Sequence, residues 1–315
     1  MTFAYADADQ ILHALPPAEA VEILRRTLTD GYDPAQDAPR QALDLPQGQL
    51  LIMPSATAEA AGVKVLTVAP EDPERTLPRV QGQYLLFDGR TLTPRMVLDG
   101  EALTSLRTPA VSLAGVRHLL TDSPEAIAGE PLEVVIFGTG PQGLAHAQTV
   151  REVLREVREV SVTFISRSEP ENIGSWCASG SAEASAALAQ AGLVLCCTTA
   201  AEPIVDRDDL RPDAVVVAVG SHSPEARELG SRLMSAARVV VEDVQTALRE
   251  AGDVIQAIDQ EALRAEDLIP MREAVCGSGR GAGEEDGRLR PTVFKTTGMS
   301  WQDLVLAHEI AQRLG

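Results

Sequence analysis

The run Gly138-Thr139-Gly140-Pro141-Gln142-Gly143 follows the apolar stretch Val134-Val135-Ile136-Phe137 and precedes Leu144-Ala145-His146-Ala147. A strand, a glycine turn and a helix in that order bring backbone N–H groups and a helix N-terminus to a phosphate. Gly138 allows the tight turn, Gly140 the approach of a pyrophosphate, and Gly143 close packing of helix on strand. Taken alone, the spacing also fits an ordinary strand-to-helix turn. With further strand and helix units behind it, the segment from Gly138 through Thr139, Gly140, Pro141 and Gln142 to Gly143 reads as a dinucleotide loop. Ligands of such sheets gather at the carboxyl ends of the strands, which assigns Thr198, Val219 and Gly220 to the same cofactor.

The end of the second strand bears on which dinucleotide is preferred. A carboxylate there suits a ribose 2′-hydroxyl, whereas an arginine suits a 2′-phosphate. Here Ser161-Val162-Thr163-Phe164-Ile165 runs into Ser166-Arg167-Ser168, and the nearest acid is Glu169, two residues past the arginine. Charge-assisted contacts from Arg167, with hydroxyls from Ser166 and Ser168, favour NADP(H), with NAD(H) as the alternative.

Three basic residues near the start of the chain stand in unusual surroundings. Lys64 interrupts the apolar strand Val63-Lys64-Val65-Leu66, and alternation sends its ammonium to the face opposite Val63 and Val65. That face is either the solvated side of a half-buried strand or a site. Arg107, in Leu103-Thr104-Ser105-Leu106-Arg107-Thr108, is placed at the start of a helix, where the macrodipole disfavours a cation and an anion would compensate. Arg40, after Asp37-Ala38-Pro39, reads alone as a loop charge, yet paired arginines are what recognition of a small carboxylate requires.

The elements that must position these groups fall into two sets. Ile11, Leu12, Leu15, Val21, Leu24 and Leu28 recur at helical spacing, and Pro16-Pro17 breaks the segment into two helices. The runs at 49–53, 63–68 and 83–87 read as strands of a mostly antiparallel sheet; 103–120 reads as a helix and 121–131 as a linker. From Glu133 onward apolar strands alternate with helices, the pattern of a parallel sheet covered on both faces. The fold class is therefore α/β: a Rossmann domain over 126–299 behind an α+β substrate domain over 1–125. Cys276 to Pro291 reads as an exposed loop. Ser300-Trp301-Gln302-Asp303 has capping-box spacing and opens a last helix, 300–315, that returns to the first domain. The loops around Asp72–Pro78 and Ala200–Pro203 are expected to set the size of the substrate pocket.

Composition narrows the partners. A formal charge of −19 over 315 residues disfavours nucleic acid and anionic membranes. The N-terminus lacks a basic, apolar leader, and no run approaches the ~20 apolar residues of a membrane span, which points to the cytoplasm. The 4 cysteines show no paired ligand spacing, so no metal site is expected and a reduced compartment fits. No Gly-x-Ser-x-Gly elbow supports a serine hydrolase. Cys196 and Cys197 lie in an apolar strand, where burial is the default. His118, His146 and His308 suit packing or surface roles. Lys295 fits equally a surface position or one near the cofactor.

Read together, Met53-Pro54, Gly62-Val63-Lys64, Leu77-Pro78, Tyr84 to Asp88, Leu98-Asp99-Gly100 and Leu103 to Thr108 resemble the ornithine cyclodeaminase and mu-crystallin family. The likeness continues through Phe137 to Gly140, Ala218-Val219-Gly220-Ser221, Glu228-Leu229 and Phe294-Lys295-Thr296-Thr297-Gly298, and so covers nearly the whole chain. The resemblance implies an N-terminal substrate and dimerisation domain, a homodimer, and a Rossmann domain, with the active site in the cleft. It implies that Arg40, Lys64 and Arg107 hold the carboxylate of a small anionic amino or imino acid. Thr297 and Gly298 match a segment near the nicotinamide and substrate.

One departure separates the activities within that family. Where ornithine cyclodeaminases carry an aspartate after the Val-Gly pair, this chain has Val219-Gly220-Ser221-His222, and an imidazole would poorly anchor a second ammonium. The reading is an NAD(P)H-dependent reductase of a cyclic imino acid or ketimine, with Lys64 and His222 as the candidate acid–base groups. The alternatives are ornithine cyclodeamination, an alanine dehydrogenase-like deamination, and a mu-crystallin-like protein that binds NADPH without turnover.

Overall fold

The protein is described from a computed structural model covering residues 4–70, 76–277, 284–285 and 288–315. It divides into two compact units, Met1–Val111 with Gly298–Gly315, and Ser112–Thr297. The sequence reading puts this division at 125; in the structure it falls at 111.

In the first unit, the strand β1 (Ala4–Ala6) leads into α1 (Ala8–Ala14), which Asp7 caps by accepting from the Gln10 backbone N–H at 2.9 Å. Pro17 then occupies the first turn of α2 (Pro17–Thr29), where a missing N–H costs nothing, so the Pro16-Pro17 break separates two helices as expected. The strands β2 (Gln41–Leu45), β3 (Gly48–Ala56), β4 (Ala60–Val68), β5 (Val80–Asp88) and β6 (Pro94–Asp99) form a sheet in the order β1-β6-β5-β4-β3-β2. All pairings are antiparallel except that of β1 with β6. Residues 71–75, in the expected pocket loop, lie outside the described residues.

The helix α3 spans Gly100–Thr121 and begins earlier than the sequence pattern suggests, because Asp99 accepts from the Ala102 N–H at 2.8 Å and fixes the first turn. Arg107 is consequently about two turns inside the helix, and its expected place at a helix start is corrected. The stretch read as a linker contains the short helix α4 (Pro124–Ile127).

The second unit follows the alternating pattern: β7 (Leu132–Phe137), α5 (Pro141–Leu154), β8 (Val160–Ser166), β9 (Trp176–Ala178), α6 (Ala182–Gln190), β10 (Leu193–Cys196) and β11 (Val215–Ala218). It continues with α7 (Ser231–Ala236), β12 (Arg238–Val241), α8 (Val244–Glu250), α9 (Gly252–Asp259), β13 (Ile269–Pro270) and α10 (Met271–Cys276). Within the expected loop 276–291, β14 (Glu284–Glu285) pairs antiparallel with β15 (Arg288–Leu289); the rest, apart from 276–277 and 290–291, is outside the described residues. The last strand, β16 (Thr292–Lys295), inserts between β12 and β11.

The main sheet runs β13-β12-β16-β11-β10-β7-β8-β9 and is parallel throughout. Every residue of β10, β11 and β16 is buried, which is why these strands read as continuous apolar runs. The chain goes outward from β7 to β8 and β9, then returns to β10 on the other side, so the strand order reverses between β7 and β10. That reversal is where doubly wound sheets receive ligands.

The chain closes with α11 (Ser300–Leu314) in the first unit, packed across β3 and β4 and against α2. Its capping residue is Met299, and no side chain caps it. The capping box expected from Ser300 and Asp303 is absent, because Asp303 faces the interior and is committed elsewhere.

Candidate functional site

In the first unit, alternation along β4 buries Ala60, Gly62, Lys64 and Leu66 and leaves Val63 and Val65 half-exposed. Lys64 therefore faces inward, and of the two placements the sequence allows, the solvated one is ruled out. Its Nζ donates to Asp303 Oδ1 at 2.9 Å and to Thr104 Oγ1 at 3.2 Å, and lies 2.8 Å from Asp303 Oδ2. Both charged side chains are completely buried. Burial pulls the Lys64 ammonium down from 10.5 to about 8; Asp303 opposes the shift, and the positive charges of Arg107 and Arg40 add to it.

Arg107 projects from α3 with its Nε 3.9 Å from Asp303 Oδ1, and this buried Nε makes no hydrogen bond among the described residues. Arg40 Nη2 donates to the Gly298 carbonyl at 2.7 Å. Gly298 has φ +82, and a Cβ there would overlap the Arg107 guanidinium, so only glycine leaves room for Arg107 in this position. Asp37 anchors the loop before Arg40: it accepts from Ser55 Oγ at 2.6 Å and from the Trp301 N–H at 2.8 Å. Burial raises the Asp37 carboxyl above the ordinary carboxylate range.

Directly across the ladder from Lys64 on β5 stands Tyr84, fully buried, with a hydroxyl that makes no hydrogen bond among the described residues. Burial, with Asp303 and Asp37 nearby, pushes its phenol well above 10.0. Gly62 makes space for that ring, since a Cβ there would run into the Tyr84 side chain. The unit thus gathers three of the expected basic residues and Gly298 around one carboxylate. Sequence spacing does not single out Asp303, Thr104 or Tyr84; the polar interruptions of apolar runs at Asp303 and Thr104 are the only signal they leave.

The glycine turn of the second unit fits a dinucleotide. Gly138 has φ +97 and lies so close to the Cys197 carbonyl that a side chain would meet its oxygen at 2.5 Å. Gly143 is pressed against the Gly138 carbonyl, whereas Gly140, the cap of α5, faces open space. Tight turn, close packing and an open approach are the three roles the motif needs, and each falls on the expected glycine. Pro141 occupies the first turn of α5, and the Gln142 carbonyl contacts His146 Nδ1 at 2.7 Å. His146 is a buried packing residue, its Nε2 2.9 Å from Ser112 Oγ.

At the end of β8, Arg167 and Ser168 are exposed. Ser166 differs from expectation: its hydroxyl donates to the Ser168 carbonyl at 2.6 Å and accepts from Trp176 Nε1 at 2.8 Å, so it braces the turn internally. Beyond β10 and β11, Glu228 accepts from the Thr198 N–H at 2.8 Å, from Thr198 Oγ1 at 2.7 Å, and from the Gly220 N–H at 2.8 Å. Val219 precedes this clamp and donates its own N–H to the Cys196 carbonyl at 3.0 Å.

Lys295, left open by the sequence, is neither at the surface nor exposed to a ligand. Its Nζ donates to the Ser221 carbonyl at 2.6 Å and to the Ala218 carbonyl at 3.3 Å, and lies 3.2 Å from Asp253 Oδ2. His222 is exposed on the loop after β11. Thr297 donates its N–H to Glu242 at 2.9 Å. Among the described residues no cluster of three or more His, Cys, Asp or Glu could hold a metal, and no helix is long and apolar enough to cross a membrane.

A parallel sheet in the second unit with a glycine turn at its switch point, alongside a first unit that holds a cation-rich cluster, defines an α/β protein of the Rossmann class. The profile of the Ornithine cyclodeaminase/mu-crystallin family matches residues 12–315, and the chain belongs to that family. Delta(1)-pyrroline-2-carboxylate reductase 1 of Burkholderia multivorans is 30% identical over 266 residues, covering 82% of this chain and 78% of the relative. The ketimine reductase mu-crystallin of Rattus norvegicus is 29% identical over 266 residues, covering 83% and 79%. Among solved structures, the Thermococcus litoralis Delta(1)-pyrroline-2-carboxylate reductase in complex with NADH and L-proline shares the fold with a TM-score of 0.83 at 24% identity, over 99% of this chain and 97% of that one.

Proposed function

We propose that the protein reduces the C=N bond of a small 2-imino carboxylic acid, a cyclic imino acid or ketimine, with a nicotinamide dinucleotide as reductant. The observation that carries this reading is the cluster of buried Lys64 and Arg107 with half-buried Arg40 around Asp303 and Gly298. When bound, the nicotinamide supplies a hydride to the imine carbon.

Arg107 and Arg40 take the substrate carboxylate, with Gly298 keeping the Arg107 guanidinium in place. Lys64 is charged at neutral pH and donates a proton from Nζ to the imine nitrogen as the amine forms, while Asp303 holds the ammonium in position. Gly138, Gly140 and Gly143 receive the pyrophosphate, and exposed Arg167 with Ser168 takes a 2′-phosphate, which favours NADP(H) over NAD(H). Thr297 and Gly298 border the reacting groups, and His222 is a second acid–base candidate. The first unit is read as the substrate and dimerisation domain of a cytoplasmic homodimer.

Support also comes from the relatives, several of which are reductases of pyrroline-2-carboxylate. His222, in place of the cyclodeaminase aspartate, favours reduction over cyclisation of a diamino acid. The test follows NADPH and NADH absorbance with pyrroline-2-carboxylate, piperideine-2-carboxylate, pyruvate with ammonia, and ornithine. The expected result is rapid NADPH oxidation with one of the cyclic imines; ammonia and proline from ornithine, or silence throughout, would refute the reductase reading.

A further inference from the structure

Glu228 lies in the second unit, fully buried, eight residues beyond the segment it holds at Gly220. One of its oxygens receives the N–H and hydroxyl of Thr198 after β10, and the other receives the N–H of Gly220 after β11. A planar trans peptide sets each N–H antiparallel to the carbonyl before it. Drawing the Thr198 N–H into Glu228 therefore turns the Cys197 carbonyl the opposite way, onto the α-carbon of Gly138, the first glycine of the phosphate turn. Drawing in the Gly220 N–H likewise turns the Val219 carbonyl away from Glu228. The approach is close, since a Cβ on Gly220 would collide with the Thr198 carbonyl and the Glu228 carboxylate.

From this geometry we infer that Glu228 is a positioning residue for the dinucleotide, its carboxylate fixing the backbone beyond β10 and β11 against the glycine turn. The inference rests on the dinucleotide reading of that turn.

The surroundings make the clamp sensitive to protons. Asp253, from α9, accepts from the N–H groups of Glu228 and Leu229 at 2.7 and 2.9 Å, and Lys295, from β16, is paired with Asp253. Among the described residues, Cys196 of β10 and Cys197 also face the carboxylate. Burial raises Glu228 from 4.5 to about 7, with Lys295 opposing the shift and Asp253 adding to it. A proton on the oxygen that faces Gly220 sets a donor against the Gly220 N–H, and that arm of the clamp is lost.

The test measures NADH binding by fluorescence from about a unit below to about a unit above neutrality, for the wild-type chain and for Glu228→Gln. NADH is the probe because it has no 2′-phosphate to titrate. Wild-type affinity is expected to weaken as pH falls through about 7. Glu228→Gln, which keeps a single accepting oxygen, is expected to bind about tenfold or more weakly at the alkaline end, with no limb near neutrality. A glutamine variant with wild-type affinity and the same limb overturns the inference. Where that variant does not fold, the wild-type chain decides: a flat profile across neutrality also overturns it. Failure of the wild-type protein to bind NADH or NADPH at every pH removes the dinucleotide reading itself, and the inference with it.

Discussion

Each unit buries a lysine beside an aspartate, and the two pairs have opposite surroundings. Lys64 meets Asp303, with Arg107 and Arg40 close enough to depress its ammonium further. Lys295 meets Asp253, with two backbone carbonyls completing its hydrogen bonds and Glu228 as an additional acid. In the first set, among the described residues, three cations gather near Asp303 and Asp37. In the second, Lys295 stands against Asp253 and Glu228. Burial accordingly depresses the ammonium of Lys64 in the cation-rich set and raises the carboxyl of Glu228 in the acid-rich one. The same pair of side chains thus stands in the proposed substrate site in one unit and holds backbone in the other.

The comparison can be broken most decisively at the lysines. Lys64→Met should lower kcat with the imino acid by about 10²–10⁴-fold while leaving NADH affinity within about twofold, as a proton donor would. Steady-state rates and a cofactor titration check this together; equal turnover removes Lys64 from the chemistry. Lys295→Met should act on the fold, because it leaves Asp253 buried without a counter-charge. A loss of about 3–5 kcal/mol in denaturant unfolding is expected. If activity per folded molecule falls as steeply as for Lys64→Met, the two lysines do not differ in role as described.

A smaller effect sharpens the first pair. Lys64 is protonated below about 8 and neutral above it, so kcat should fall as pH rises through about 8. Asp303→Asn removes the charge that opposes the depression, and the limb should move to lower pH. A pH–rate profile of both proteins reads this directly. The same shift has a stability counterpart: between about 8 and 10.5 the unfolded chain holds the Lys64 proton and the folded chain does not, so this group favours folding more as pH rises across that window.

The parts of the molecule legible in sequence are those whose signals are local. The glycine turn, its strand and its helix carry their meaning within one local stretch from Leu132 to Leu154, and each of the three glycines meets the surroundings its spacing implies. The continuous apolar strands announce a covered parallel sheet for the same reason. Lys64 was readable as an anomaly, but its orientation was not, since alternation fixes two faces without saying which is buried. Asp303 was read as a cap because the Ser300–Asp303 spacing is correct; its true partner is 239 residues away, beyond the reach of any local pattern. Arg107 was placed at a helix start because the apolar run begins at Leu103, whereas Asp99 starts the helix earlier with a side-chain hydrogen bond. Lys295 reads equally as a surface residue or one near the cofactor, and only the packing of α9 and β16 shows it to be internal.

The helix α11 returns to the first unit after the whole second unit has been threaded between. During synthesis, Lys64 emerges from the ribosome early and its counter-charge Asp303 emerges after every residue of the other unit. Until then the ammonium has no carboxylate to share its burial, and β3 and β4 lack the helix that covers them. The second unit can consolidate on contiguous sequence, while the first must keep an incomplete sheet waiting for a closing contact of long separation. Order of emergence therefore makes the cation-rich cluster one of the last parts of the protein to be completed.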